Sequence, residues 1–61
     1  MSNRDHLQGL INTASAASGV SQAPSTEREQ AAEEFEAAGF DLDNEDVQKA
    51  IDLRGNELRE E

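Results

Sequence analysis

The scarcity of large apolar side chains limits this chain more than anything else in it. Of 61 residues, only Met1, Leu7, Leu10, Ile11, Val20, Phe35, Phe40, Leu42, Val47, Ile51, Leu53 and Leu58 can add substantially to a core. Each contributes about 1.5 to 3 kcal/mol when fully buried, against about 1.5 kcal/mol per residue for ordering the chain. The core is therefore expected to be minimal, or to be completed by a second copy or a partner. No cysteine is present to supply a disulfide or a Cys-based zinc site. A chain this short holds one small domain. Its apolar runs are too short for a membrane span or a signal-peptide core, so a soluble cytoplasmic protein is expected.

The apolar residues recur at helical spacing. Leu7, Leu10, Ile11 and Ala14 mark one face of a helix from about Asn3 to Ser18, with Ser2 or Asn3 able to cap its start and Gly19 suited to a left-handed residue past its end. Residues 19–25 are small and polar and include Pro24, which predicts a flexible Gly/Ser/Pro connection. Thr26 with Glu29 three residues on has the form of a capping box. The helix it would open carries Ala31, Ala32, Phe35 and Ala38 on one face, and Gly39 would stop it with Phe40 placed to touch Phe35. Asp43 or Asn44 can cap a third helix bearing Val47, Ala50 and Ile51, which Gly55-Asn56 would end or weaken. The expected fold is all-α. Residues 1–18 form a neutral amphipathic helix, 19–25 the connection, and 26–61 an acidic helical hairpin around Phe35, Ala38, Phe40, Leu42, Val47 and Ile51. Leu7, Leu10 and Ile11 join this core if helix 1 docks, and otherwise offer a face to a partner or a second copy.

Charge divides the chain at the same place. Residues 1–26 hold Arg4 and Asp5 and sum to zero, while residues 27–61 hold thirteen acids against Arg28, Lys49, Arg54 and Arg59 and carry the whole net charge of −9. Such a field repels nucleic acid and anionic membrane and attracts basic protein surfaces over roughly 8 to 10 Å at ordinary salt. Between Glu29 and Asp46 stand Glu29, Glu33, Glu34, Glu36, Asp41, Asp43, Glu45 and Asp46 with no basic residue among them. Like charges three and four apart on a helix cost a few tenths of a kcal/mol per pair, and a face serving solubility alone usually interleaves lysines. These eight carboxylates are the candidate partner-binding surface. The expected partner is a protein with a basic surface, with no direct binding of nucleic acid or membrane.

Other chemistry finds little support in the residues. Asp41, Asp43, Glu45 and Asp52 fall at four positions of a calcium loop, but Asp46 stands where the turn needs glycine, and Asp52 where a bidentate glutamate belongs. A capped helix start explains the same residues better. His6, the single histidine, has no nucleophile or orienting carboxylate at helical spacing. Neither a catalytic site, nor a metal, nor a cofactor is expected, and the chain is read as a binding protein and not an enzyme.

Two resemblances bear on what it binds. Gly39-Phe40 followed by Val47, Ala50, Ile51 and Gly55-Asn56 resembles the first two helices of a ubiquitin-associated domain over about 20 residues, with Ala38 where that family usually has methionine. It implies an adaptor in which an apolar third helix completes the bundle. In size and charge the chain also resembles small phage-encoded inhibitors, some anti-CRISPR proteins among them. That likeness implies a nucleic-acid mimic occupying a basic groove. The contrasting expectation is a helical interaction or assembly module, such as a virion accessory protein.

Overall fold

The computed structural model describes residues 3–60. Met1 and the Ser2 cap lie outside the described residues, as does Glu61. The chain is all-α, with α1 at Asn3–Ala16, α2 at Ser25–Ala37 and α3 at Glu45–Glu60.

The third helix is the centre of the molecule. It packs against both α1 and α2, and no residue from Asp46 to Leu58 is exposed. Its Val47, Ala50 and Ile51 meet Leu7 and Ala14 of α1 and Ala31 and Phe35 of α2 in one buried cluster, on which Leu10, Ile11, Phe40, Leu42, Leu53 and Leu58 pack in part. Helix 1 therefore docks. The radius of gyration of 10.2 Å agrees, since a folded domain of this length is expected near about 10.5 Å.

The turn from α2 into α3 follows from three residues. Gly39 takes φ 90°, a left-handed conformation that costs glycine nothing. Phe40 N–H donates to the Phe35 carbonyl (3.0 Å) and Gly39 N–H to that of Glu36 (3.0 Å), the paired bonds of a Schellman ending. The Phe35 and Phe40 rings lie 5.6 Å apart, tilted by 60°, and so supply the apolar contact that usually accompanies it. Asn44 then opens α3, its Oδ1 accepting the amides of Asp46 (2.8 Å) and Val47 (3.3 Å).

Local signals elsewhere were overridden. Thr26 does not cap α2: the helix starts at Ser25, Pro24 is the residue before it with no side-chain cap, and the Pro24 carbonyl accepts the Arg28 amide (2.8 Å). Thr26 is thus already inside the first turn. Gly19 is not left-handed, Gly39 being the one positive-φ glycine among the described residues, and α1 ends at Ala16. Gly55 neither ends nor weakens α3. It is buried mid-helix, and a Cβ there would stand 2.6 Å from the Cβ of Ala23.

That contact belongs to a series tying the connection to α3. Lys49 Nζ donates to the Ala17 carbonyl (3.4 Å), the Ala23 amide to Asp52 Oδ1 (3.2 Å) and Asn56 Nδ2 to the Ser21 carbonyl (2.9 Å). Ala23 itself is buried. The segment between α1 and α2 is irregular in backbone, yet it is a packed third side of α3.

Candidate functional site

Helix 2 separates its two faces cleanly. Ala31 and Phe35 are fully buried, while Glu29, Glu33 and Glu36 are exposed because steps of 100° per residue carry them to the opposite side. The α2–α3 turn extends this surface with exposed Asp41, Asp43 and Glu45, Asp46 being half-buried. One Asp41 oxygen is used structurally, accepting the Asp43 amide at 2.9 Å. Glu34 is turned the other way and meets α3.

What the sequence concealed is where the positive charges go. Four of the five basic residues join one element of the chain to another. Arg54 Nε donates to Glu34 Oε1 (2.8 Å), and its terminal nitrogens reach Glu34 Oε2 (3.4 Å) and Glu57 Oε1 (3.1 Å). Arg28 spans from α2 to Asp52 (2.9 Å) and Gln48 (2.7 Å) of α3, and the Gln48 amide in turn donates to the Leu42 carbonyl. Lys49 holds the end of α1. Arg4 Nε donates to the Ala38 carbonyl (3.2 Å) at the end of α2, and its guanidinium lies 5.0 Å from the Phe40 ring centre, within cation–π range.

These ties also set the local titration. Hydrogen bonding to Glu34 raises the Arg54 pKa further above its ordinary value, against the opposing effect of burial and with added support from Glu57. Burial alone would push the Glu57 carboxyl up, but hydrogen bonds from His6 and Arg54 outweigh it and hold the carboxyl below its ordinary value. His6 Nε2 donates to Glu57 Oε1 at 2.8 Å. Glu34, Arg54, Glu57 and His6 thus form a chain of contacts crossing all three helices.

With Arg28, Lys49 and Arg54 engaged between elements, the outer face of α2 presents Glu29, Glu33 and Glu36, and the adjoining turn presents Asp41, Asp43 and Glu45 beside the exposed Arg4. The eight candidate residues are not equivalent. Glu29, Glu33, Glu36, Asp41, Asp43 and Glu45 are exposed, Asp46 is partly covered, and Glu34 is committed to Arg54. Helix 2 also has acids and no base in its last turn, where negative charge opposes the helix dipole. Of these acids Glu34 is used by the fold, through Arg54, and Glu36 is exposed.

The other candidates are resolved by position. Asp52, the twelfth residue of the calcium-like spacing, is bound to Arg28 and the Ala23 amide in mid-α3. Among the described residues no three potential ligands gather as a metal site. Leu7 is fully buried in the chain's own core, and Leu10 and Ile11 are half-buried against it. Only the outer parts of Leu10 and Ile11 are available to another chain. No described helix is long and apolar enough to cross a membrane.

The likeness to a ubiquitin-associated domain reaches as far as α2, the Gly39-Phe40 turn and α3. The helix that completes this bundle is α1, which precedes the pair in sequence, whereas in that family the completing helix follows. No family model, curated protein sequence or solved structure matches the chain.

Proposed function

We propose that the chain acts by binding, and that its carboxylate surface occupies the basic nucleic-acid-binding groove of a protein partner. The observation carrying this reading is the separation of charge: bases tie the elements together, while α2 faces outward with Glu29, Glu33 and Glu36 and its turn adds Asp41, Asp43 and Glu45 beside Arg4. Glu29, Glu33 and Glu36 succeed one another at about 6 and 4.5 Å along the helix axis. One strand of a duplex carries a charge about every 3.4 Å of axis, so arginines and lysines placed for phosphates would meet a row of charge here at roughly two-thirds of that density. A helix held on a packed α3 loses little freedom on binding, which favours affinity.

Affinity capture from the native host at low and at high salt, with the recovered proteins identified, tests this reading. A nucleic-acid-binding protein retained at low salt and lost at high salt is expected. Capture that is indifferent to salt favours the second reading, association through the half-buried Leu10 and Ile11, since apolar contact persists or strengthens as salt rises. Self-association through that face is checked by light scattering, where replacing both residues with serine should abolish any dimer.

A further inference from the structure

The C-terminal end of α2 already holds a guanidinium. The Ala38 carbonyl, at the negative end of the helix dipole, accepts Arg4 Nε at 3.2 Å, and the half-buried Phe40 ring presents its face to the same group at 5.0 Å. Asp41 follows Phe40 directly and is exposed, as is Glu36 one turn earlier. Carbonyl, aromatic face and nearby carboxylates suit a planar cation that stacks and donates at once, which arginine does and lysine does not. Arg4 is itself exposed and stands in the first turn of α1, where a helix opens most readily.

We propose that this turn is an arginine-selective docking point, at which an arginine of the basic partner takes the place that Arg4 fills within the chain. The inference rests on the reading of the carboxylate surface given above and adds selectivity to it. Carboxylates alone attract any cation, whereas the Phe40 face and the Ala38 carbonyl together favour a planar guanidinium over an ammonium. Arg4 then acts as an internal competitor, keeping the ring covered until a partner arginine arrives.

Hexa-arginine and hexa-lysine peptides of equal charge are the probes, with binding to the full chain measured by calorimetry at low salt. The hexa-arginine peptide should bind tighter, by less than the about fivefold of a whole exposed cation–π contact, because an ammonium gains part of that contact and an arriving arginine must displace Arg4. Part of any such preference can arise from the carboxylates, so two variants isolate the turn. Phe40→Leu keeps an apolar side chain but removes the π face and should reduce the preference. Arg4→Lys keeps the charge but weakens the competitor and should increase it. A preference unchanged in Arg4→Lys overturns the proposal even if Phe40→Leu does not fold. Equal binding of the two peptides also overturns it and leaves the carboxylate surface standing, whereas no binding of either peptide removes both.

Discussion

Gly55 and Ala23 approach so closely that a methyl group on Gly55 would stand 2.6 Å from the Ala23 Cβ, with the Arg28 backbone at 3.4 Å on the same side. An alanine in mid-helix normally stabilises by about 1 kcal/mol relative to glycine. Here Gly55→Ala should instead destabilise by about 1 to 3 kcal/mol, the usual cost of overpacking. A methyl group on Gly9 would meet nothing within 4 Å, so Gly9→Ala should show the ordinary gain. Urea denaturation of the two variants checks the contrast, and Ala23→Gly should recover part of the loss in Gly55→Ala.

The caps give a second pair. Asn44→Ala removes the acceptor of two α3 amides and should cost about 1 kcal/mol. Thr26→Ala should change stability by only a few tenths, because α2 begins before it and the side chain caps nothing. Equal losses by thermal melts would restore the capping box.

Phe35 is fully buried and Phe40 only partly. Phe35→Ala should cost about 3 to 5 kcal/mol, enough to abolish cooperative unfolding in a chain this small. Phe40→Ala should cost less and leave a measurable transition. Circular dichroism melts distinguish the two, and a well-folded Phe35→Ala would contradict a core centred on that ring.

Glu57 supplies the pH prediction. Its carboxyl titrates below its ordinary value of 4.5 in the folded chain, so the unfolded state binds the proton more readily. Its contribution to stability is full above that ordinary value and is lost as pH falls through the lower folded value. The stability difference between the native chain and Glu57→Gln should therefore shrink as pH is lowered from about 6 to about 3. A difference that stays constant across this window would show that the carboxylate is not held by His6 and Arg54.

Features set by neighbours in sequence were legible in advance. Gly39 with Phe35 and Phe40, the Asn44 cap and the apolar face of α1 all depend on spacings of a few residues. Features set by distant parts of the chain were not. Gly55 reads locally as a helix breaker, and its reason for being glycine is Ala23, 32 positions away. At the start of α2 the Arg28 amide bonds to the Pro24 carbonyl while its side chain reaches Asp52 and Gln48, contacts the Thr26–Glu29 spacing cannot reveal. The same holds for the candidate surface. Its carboxylates are visible as a run, but the loss of Glu34 to Arg54 depends on α2 packing against α3.

The carboxylate surface is tested most directly by displacement of labelled duplex DNA from the captured partner, with the native chain and a Glu29→Lys, Glu33→Lys, Glu36→Lys variant as competitors over a range of salt. All three side chains are exposed, their reversal only exchanges acidic like-charge pairs for basic ones, and lysine is as good a helix former as glutamate, so the variant should keep its helical signal and melting transition. The native chain should displace the duplex with an affinity that falls steeply as salt rises, and the folded variant should fail to displace it. Displacement of equal strength by both, unaffected by salt, would contradict the proposal that these carboxylates stand in for phosphates.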